Sequence, residues 1–329
     1  MPRASIVIRC FNEEAHIGRL LDGIMHQTMG DREVLVVDSG STDATLDIAS
    51  RYPVRVLTIR PDEFSFGRSL NAGCQAAGGE YVVIASAHTY PVYDDWLEQL
   101  LAPFADPQIA LVYGRQRGDA GTQYSERQIF SAWFPAQSNP SQTHPFCNNA
   151  NAAIRRALWS RWPYDEDLTG LEDLDWAHRI LAQGYRLAYA ANAEVVHVHR
   201  ETWRQVFLRY RREAMALKRI FPHEHFRFWD VLRLVARNVA SDYAHAARER
   251  ALAANLTAIP TFRLMQFWGT YRGFAHRGPI PRALKQTFYY PLGVRRIAEE
   301  ASPPRDGRAI DYDRIGAKET NAAAVRKLP

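Results

Sequence analysis

Three acidic side chains lie close together in the segment Glu172-Asp173-Leu174-Asp175. Apolar residues recur at three- and four-residue spacing through this segment and Gly184 follows it, so the pattern predicts a helix that begins with the acids. A carboxylate in this position can act as a general base, and we expect Asp173 to do so. The structural alternative is helix capping, because Thr169 followed by Glu172 fits a capping box and acids suit the positive end of the helix dipole.

Short apolar runs alternate with segments of helical periodicity through the first half of the chain. Continuous runs such as Leu35-Val36-Val37 are typical of strands buried on both faces. Alternation of strand and helix is typical of βαβ units, so we expect an α/β fold with a mostly parallel twisted sheet flanked by helices. The predicted strands are 5–10, 33–38, 54–59, 81–85 and 109–114. The predicted helices are 14–27, one after residue 41, 67–77 and 95–104.

The regular pattern stops after the fifth predicted strand. The stretch 115–144 is polar and is predicted to be a mobile or substrate-facing insertion. A short strand after residue 148, the acidic helix and a strand around 195–199 follow it. From Thr202 onward the chain is predicted to be mainly helical, and low apolar content after about residue 302 indicates a flexible tail. The expected organisation is a main domain at 1–200, a helical C-terminal region at 201–301 and a tail at 302–329.

The composition is that of a globular protein, since 47% of the 329 residues are hydrophobic and can form a full core. Cys10, Cys74 and Cys147 match no zinc pattern and leave one cysteine unpaired in any disulfide scheme, which favours the reducing cytoplasm. No stretch approaches the roughly 20 apolar residues of a membrane span, and no extended apolar leader follows Met1. We therefore expect a cytoplasmic protein, soluble or peripheral at the inner face of the plasma membrane.

The formal net charge of +5 is modest, but basic residues concentrate late in the chain. They suit an anionic partner, and a solvated helix face is the simpler alternative. Nucleic acid is disfavoured because no zinc finger, RNP-like aromatic motif or helix-turn-helix is evident. A phosphate-bearing substrate or an anionic membrane surface is the expected partner. The basic residues in question are Arg204, Arg209, Arg211, Arg212, Lys218, Arg219, Arg295 and Arg296.

Polar residues follow the first two predicted strands, where ligands bind in open parallel sheets. The first strand leads to Arg9, Asn12 and Glu13, and the second leads to the run 38–43. The glycine-rich dinucleotide fingerprint is missing from the first turn, which disfavours nicotinamide chemistry. Asp38 could accept hydrogen bonds from a nucleoside base or ribose. The hydroxyls that follow it at positions 41 and 42 could instead cap the next helix.

Four segments of the chain, in this order, resemble the inverting family-2 glycosyltransferases, which use nucleotide-diphospho-sugars. They are Ile6-Val7-Ile8-Arg9-Cys10-Phe11-Asn12-Glu13-Glu14, Val36-Val37-Asp38-Ser39-Gly40-Ser41-Thr42-Asp43, Gly67-Arg68-Ser69-Leu70-Asn71-Ala72-Gly73 and Gly170-Leu171-Glu172-Asp173. Within the family, three further segments are similar to bacterial rhamnosyltransferase-like enzymes of surface-polysaccharide synthesis. These are Phe66-Gly67-Arg68, Tyr113-Gly114-Arg115-Gln116 and Val195-Val196-His197-Val198-His199.

The resemblance implies a Rossmann-like, glycosyltransferase A-type fold and a transfer reaction with inversion. Asp173 would be the base that activates a hydroxyl of a glycan or glycolipid acceptor, with Glu172 as a neighbouring acceptor contact. The nucleotide-sugar pocket would be built by residues after the first strands and on the third helix. These are Arg9, Asn12, Glu13, Asp38, Ser39, Arg68 and Asn71, together with Ser86, Ala87 and His88 after the fourth strand.

A metal site is expected from the resemblance, but the usual acidic motif is replaced by Ser86-Ala87-His88. Carboxylate oxygens suit Mg²⁺ better than imidazole does, so a magnesium site is in doubt. Three alternatives follow. His88 could bind Mn²⁺ or a similar divalent ion together with His199; it could contact the diphosphate directly; or the protein could be an inactive nucleotide-sugar-binding or scaffold protein.

Further candidates lie on either side of the acidic helix. His197 and His199 are two residues apart on a predicted strand and so share a face, which suits either a common ligand or a structural hydrogen bond. Arg200 could neutralise a departing diphosphate. Two asparagines, Asn148 and Asn151, could bind sugar hydroxyls or stabilise a turn. The tryptophans placed to reach an acceptor are Trp133 and Trp176.

Overall fold

The computed structural model describes residues 2–275 and 307–315. Its centre is one mixed sheet of nine strands. The strands are β1 (Ala4–Cys10), β2 (Arg32–Asp38), β3 (Arg55–Thr58), β4 (Tyr81–Ser86), β5 (Thr89–Pro91), β6 (Ile109–Arg117), β7 (Asn139–Gln142), β8 (Asn151–Arg155) and β9 (Arg186–His197).

Helices cover both faces of the sheet and continue beyond it. They are α1 (Ile17–Met25), α2 (Thr45–Ala49), α3 (Phe66–Ala76), α4 (Trp96–Leu101), α5 (Tyr124–Trp133), α6 (Arg156–Trp159), α7 (Glu172–Leu181), α8 (Trp203–Ile220), α9 (Phe228–Arg248), α10 (Leu252–Asn255) and α11 (Ala258–Phe274). The expected α/β class, the flanking helices and the helical C-terminal region are therefore all present.

Strand order along the sheet is β3-β2-β1-β4-β8-β6-β9-β5, and β7 pairs with β9. The first four strands are parallel, as expected from the βαβ pattern. By contrast, β8 runs antiparallel to both β4 and β6. A short apolar run shows that a strand is buried but does not show its direction, so the mixed half of the sheet was not predicted.

Side chains of β1 alternate between two apolar layers. Ile6 and Ile8 pack in the layer that contains α1, whereas Val7 packs in the layer with Leu70 of α3. All of these side chains are fully buried. Burial on both faces accounts for the continuous apolar runs of the central strands, and it holds their carboxyl ends at a common edge.

The polar stretch 115–144 belongs to the folded domain, so it is not a mobile insertion. The alternative of a substrate-facing segment remains, because α5 lines a cavity at the carboxyl ends of β1 and β4. β6 continues to Arg117, and α5 and β7 follow. Ile129 and Phe130 bury the apolar side of α5. Alternate polar residues on this helix concealed its amphipathic character in the sequence.

Gly114 lies where β6 and β9 change register. A Cβ atom at this position would collide with the backbone oxygen of Ala193 and the side chain of Asn151. The glycine therefore permits the close approach at which β9 shifts along its neighbour. After the shift, His197 at the end of β9 lies beside Gln116.

The C-terminal helices pack on one another, with α11 against α8 and α9. No helix within 2–275 or 307–315 is long and apolar enough to cross a membrane. Residues 307–315 were expected to belong to a loose tail, but they are docked on the domain: the Tyr312 hydroxyl donates to the carbonyl of Pro91 at 2.6 Å. The remainder of that predicted tail, and Arg295 and Arg296, lie outside the described residues.

Candidate active site

A cavity of about 690 Å³ opens at the carboxyl ends of β1 and β4. Its other walls come from α5, the start of α7, the end of β9 and α8. Most of the residues proposed from the sequence meet here, although they come from distant parts of the chain. Those that line the cavity are Arg9, Asn12, Glu13, Ser86, His88, Asn148, Glu172, Asp173, His199 and Arg200.

Asn12 fixes the turn that follows β1. Its backbone is left-handed, with φ of 55°, a conformation that asparagine tolerates better than most side chains. Its Oδ1 accepts a hydrogen bond from the amide of Thr42 at 2.8 Å, and its own amide donates to Ser41 Oγ at 2.9 Å. These contacts tie the turn after β1 to the loop after β2. Ser41 and Thr42 therefore hold the loop instead of capping α2, which begins at Thr45.

Asp173 lies in the first turn of α7 and is 8% exposed. Its Oδ2 accepts from the amide of Asn149 at 2.9 Å, and its Oδ1 accepts from the amide of Leu174 at 2.8 Å. Burial, and next the negative charge of Glu172, raise the pKa of Asp173 to about 7, although these amides and Arg9 oppose the rise. A carboxyl group with this pKa is suited to accept a proton near neutral pH.

Arg9 and Glu172 form an ion pair at the base of the cavity, with 3.1 Å between Nη1 and Oε1. The Glu172 side chain is almost fully buried. The guanidinium of Arg9 also lies 5.0 Å from the centre of the Phe66 ring, and that of Arg212 lies 4.6 Å from the same ring. Thus Arg9 pairs directly with Glu172, whereas the adjacent Asp173 has no direct cationic partner among the described residues.

The helix start that carries Asp173 is strained. Leu171 occupies the N-cap position in the left-handed region, with φ of 57°, which is unusual for a large side chain. The alternative capping box between Thr169 and Glu172 is absent, and the Thr169 hydroxyl donates to the carbonyl of Arg212 at 3.1 Å instead. Such strain is maintained only where surrounding contacts impose it, and it is found preferentially at functional sites. The helix start is as predicted, and the capping-box alternative is excluded because a contact with α8 replaces it.

Three histidines converge on the opposite part of the lining. One nitrogen of each of His88, His197 and His199 lies within 4.8 Å of the other two. The Nε2 atoms of His197 and His199 are 2.9 Å apart, and the rings of His88 and His197 are stacked with 5.1 Å between centroids. Burial, and next the charge of His199, hold the pKa of His197 well below its usual range. His197 is therefore a neutral imidazole at neutral pH.

Each histidine of this cluster has an oxygen partner on Nδ1. Glu13 lies 2.8 Å from His88, Gln116 lies 2.7 Å from His197, and Glu126 lies 2.7 Å from His199. Such partners orient metal-binding imidazoles in many proteins. The Ser86 hydroxyl lies 3.1 Å from Nε2 of His88.

Glu126 is the most buried acid of this network. Burial raises its pKa, but the charges of Arg209 and His199 and the hydrogen bonds from both outweigh that effect and lower the pKa to about 2. Arg209 of α8 contacts Glu126 at 2.6 Å and Glu201 at 2.7 Å. A second possible metal group, formed by Glu126, His199 and Glu201, is therefore already occupied by the guanidinium of Arg209. The three-histidine cluster is the better donor set, and it fits a transition metal.

Five residues expected in the nucleotide-sugar pocket do not line the cavity. Asp38 accepts hydrogen bonds from the amides of Gly40 and Ser41 and is 1% exposed. Its neighbour Ser39 is buried, as is Ala87 after β4. In this structure Asp38 stabilises its own loop and has no contact with the cavity.

The other two, Arg68 and Asn71, hold the chain before α7. Arg68 donates to Glu166 at 2.9 Å. Asn71 bonds the backbone of Tyr164 through both ends of its amide, and also bonds Glu166. Both residues support the segment that leads into Asp173 and lie outside the lining.

Two further candidates are structural. Asn151 is fully buried and donates to the carbonyls of Arg115 and Ala193. Trp176 is fully buried and donates to the carbonyl of Trp162 at 2.6 Å. Both proposals of sugar contact were wrong, whereas Asn148 and Trp133 do line the cavity.

Sequence reasoning missed the contribution of the C-terminal region. Gln205, Arg209, Tyr210, Arg212 and Glu213 of α8 all line the cavity. The signal was the basic run noted in the sequence, but nothing in it showed which arginines face the main domain. Residues beyond 200 therefore complete the wall of the site.

The chain matches the profile of glycosyl transferase family 2 over residues 5–162. The O-antigen chain rhamnosyltransferase WbaN of Salmonella anatum is 30% identical over 223 residues, which cover 64% of this chain and 70% of that protein. The chain belongs to glycosyl transferase family 2. This family-2 glycosyltransferase is also 28% identical to the O-antigen chain rhamnosyltransferase RfbN of Salmonella typhimurium, over 63% of this chain and 70% of the relative.

Among solved structures, the glycosyltransferase is similar to the mannosyltransferase PcManGT from Pyrobaculum calidifontis, a structure in complex with GDP-Man and Mn²⁺. The TM-score is 0.56 at 22% identity, and the match covers 83% of this chain and 84% of the other. This likeness shows the expected glycosyltransferase A-type fold.

Proposed function

We propose that this glycosyltransferase moves a sugar from a nucleotide-diphospho-sugar to a hydroxyl of a glycan or lipid-linked acceptor, with inversion at the anomeric carbon. The observation that carries the proposal is Asp173, a cavity-lining carboxyl group whose pKa is raised to about 7. A base of this kind is half ionised near neutral pH, so it can both accept and release a proton.

In the proposed reaction, Asp173 takes the proton of the acceptor hydroxyl as its oxygen attacks the anomeric carbon. The bond from that carbon to the diphosphate breaks on the opposite face, so a single displacement inverts the configuration. Backbone amides of Asn149 and Leu174 hold both carboxylate oxygens. They orient the base for an attack from a fixed direction, and general-base catalysis of this kind is worth ~10²–10⁴ in rate.

Charge on the leaving diphosphate requires a cationic site. Arg200 lines the same cavity and forms an ion pair with Asp119. Its side chain is 64% exposed, so the guanidinium can also contact a bound ligand. A divalent cation held by His88 and His199 would supply further neutralisation of the diphosphate when bound. Arg200 and the cation would then act on one face of the donor sugar and Asp173 on the other.

The two Salmonella relatives are named as O-antigen chain rhamnosyltransferases. They support a rhamnosyl donor and a role in bacterial surface-polysaccharide synthesis for this chain. We propose that three cavity residues contact the sugars: Trp133, Asn148 and Arg212. An aromatic ring can stack on the face of a sugar, and an amide or a guanidinium can bond its hydroxyls.

Transfer to a lipid-linked acceptor would place the protein at the inner surface of the plasma membrane. The start of α9 supports this proposal, because Trp229 is 75% exposed and Phe228 and Leu232 are also exposed beside the basic residues Arg227 and Arg233. Aromatic and basic side chains in this arrangement suit an anionic interface. Flotation with anionic vesicles at low salt should recover the wild-type protein and less of Trp229→Ser; an equal lack of flotation for both would oppose membrane binding.

The central test is transfer from radiolabelled nucleotide-rhamnose and other nucleotide sugars to an acceptor panel, with wild type and Asp173→Asn. The anomeric configuration of the product is read by NMR. Turnover with inversion that is lost in Asp173→Asn supports the proposal. Retention of configuration, or donor binding without turnover on any acceptor, would contradict it and favour the scaffold alternative.

A further inference from the structure

We infer that His88, His197 and His199 form one all-imidazole site that binds a late first-row transition metal ion in preference to Mg²⁺ or Mn²⁺. The inference deepens the proposed function, on which it rests for the role of the ion beside the donor diphosphate. It adds a third ligand, His197, and a metal preference to the pair His88 and His199 considered from the sequence.

The first argument is the direction of the imidazole rings. Glu13 and Glu126 are carboxylates within 2.8 Å of Nδ1 of His88 and His199, and an ionised carboxylate can only accept a hydrogen bond. Glu126 also forms an ion pair with the guanidinium of Arg209 at 2.6 Å, which holds it as a carboxylate. Nδ1 of His199 must therefore carry a proton, and its Nε2 offers a lone pair when the ring is neutral.

The second argument is the short contact between the two strand-end histidines. Nε2 of His199 faces Nε2 of His197 at 2.9 Å, while Nδ1 of His197 is 2.7 Å from Oε1 of Gln116. With every Nδ1 donating to an oxygen and both rings neutral, two nitrogen lone pairs would meet at this distance, so the contact needs a metal ion or a proton between them. Two nitrogens bonded to one ion at about 2.1 Å would be separated by roughly 3.0–3.4 Å, close to the spacing found.

The rival explanation is a hydrogen bond from one imidazole to the other. It requires either a second proton on His199, whose Nδ1 is paired with Glu126, or a reversed Gln116 amide whose nitrogen donates to Nδ1 of His197. In its present orientation the Gln116 nitrogen is buried without a hydrogen-bond partner, and reversal of the amide would give it one. Binding of Co²⁺ distinguishes the two explanations. A metal ion satisfies all three histidines, whereas the hydrogen bond leaves Nε2 of His88 with only the Ser86 hydroxyl at 3.1 Å.

The donor type decides the metal. Mg²⁺ binds oxygen ligands almost exclusively, and Mn²⁺ is the weakest binder of the first-row divalent ions, whereas imidazole suits Co²⁺, Ni²⁺ and Zn²⁺. The cluster offers three nitrogens, and the nearest carboxylates bond the Nδ1 side of the rings. His88 and His199 are partly exposed in the cavity, so an ion bound there would keep open positions for substrate oxygens.

The test is binding of Co²⁺ alone to the full-length protein after removal of metals by EDTA and dialysis. Visible absorption of the bound Co²⁺ reports its ligands independently of catalysis. Wild type should bind one Co²⁺ per chain. His197→Gln should bind Co²⁺ more weakly by more than about 10-fold, because loss of even a hydrogen-bond partner of a metal ligand often weakens metal binding by that factor. His26→Gln is the matched control, since His26 bonds only the carbonyl of Asp22 in its own helix and is remote from the cavity.

Competition tests the preference. An equal amount of Zn²⁺ should displace Co²⁺, whereas about a hundredfold excess of Mg²⁺ should not. His88→Asp, which exchanges a nitrogen ligand for oxygen, should narrow the gap between Mg²⁺ and Co²⁺. The inference is overturned if wild type binds no Co²⁺, if Mg²⁺ competes as well as Zn²⁺, or if His197→Gln retains wild-type affinity and spectrum. Transfer that persists without metal would overturn the role of the ion beside the donor diphosphate, while leaving the proposed reaction intact.

Discussion

Arg9 and Glu172 face each other at 3.1 Å directly beside the proposed base, Asp173. The charge of Glu172 raises the pKa of Asp173, and that of Arg9 lowers it. Glu172→Gln should therefore shift the acidic limb of the kcat/KM profile to lower pH. Arg9→Gln should shift it to higher pH, because the base then holds its proton longer. The limb of the wild type should lie near pH 7, since the pKa of Asp173 is about 7.

The opposite signs of these two shifts distinguish an electrostatic role from general damage to the site. Arg9→Lys keeps the positive charge and should restore most of the wild-type profile. Arg179→Gln is the control, because Arg179 forms an ion pair with Asp175 at 2.8 Å on the same helix but outside the cavity. Shifts of the same sign in both test variants would show that the limb does not belong to Asp173.

Asp173→Asn should lose activity and gain stability. The loss should be at least about 10²-fold, the usual contribution of a general base. Because the pKa of Asp173 is raised above its ordinary value, the folded wild type is most favoured at low pH and loses stability as pH rises from about 4 to about 7. The variant has no such loss, so its free energy of unfolding should exceed that of wild type by an amount that grows over this pH range. At pH values above 7 the difference should be roughly 2–4 kcal/mol.

Urea denaturation of both proteins at several pH values measures this difference. The two proteins should have similar stability near pH 4 and differ most near pH 8. A constant difference at all pH values would mean that the pKa of Asp173 is not raised by folding.

The stability difference between wild type and Glu126→Gln should depend on pH in the opposite way to that between wild type and Asp173→Asn. The pKa of Glu126 is lowered to about 2, so its contribution to stability is present above its ordinary pKa and is lost as pH falls from about 4.5 to about 2. The contribution is of the order of 3 kcal/mol, because each pKa unit is worth about 1.4 kcal/mol. Wild type should therefore be less stable at pH 3 than at pH 6, and the variant should show a smaller decrease. Parallel curves for the two proteins in acid would contradict the assignment.

The central strands and the acidic helix could be predicted because their signal is local. Buried runs in β1 and β2 are continuous, and α7 has clear apolar periodicity. β7 has no such signal: its residues Asn139–Gln142 are polar and mostly exposed, and they form a strand only because β9 lies alongside. Strand direction, as for β8, likewise depends on neighbours that a run of apolar residues does not specify.

Many polar residues of the site could be identified from local sequence, but their side-chain partners could not. Asp38 and Asn71 belong to segments that resemble the family, yet their side chains are committed to backbone amides and carbonyls that only the folded chain brings near. Gln116 and Glu126 are separated from their histidine partners by 81 and 73 residues. Positions of this kind are set by the register of β6 on β9 and by the packing of α5, neither of which is visible in local sequence.

Arg200 offers a direct test of leaving-group stabilisation. Its guanidinium is paired with Asp119 at 2.7 Å and lines the cavity, and the matched pair of Arg60 and Asp62, at 2.8 Å, lies outside it. Arg200→Gln should lower kcat by about 10²–10³, because charge that develops on the diphosphate loses a fixed donor. Arg60→Gln loses a comparable exposed ion pair outside the cavity, so it should leave kcat unchanged.

A lysine at position 200 separates charge from geometry. Arg200→Lys retains the positive charge but cannot form the paired contacts of a guanidinium, so kcat should recover only in part. The loss in Arg200→Gln should also shrink with donors whose nucleotide is a better leaving group, because less charge then needs stabilisation at the breaking bond. A loss that affects only KM, with kcat unchanged across donors, would place Arg200 in ground-state binding of the donor and remove it from the chemical step.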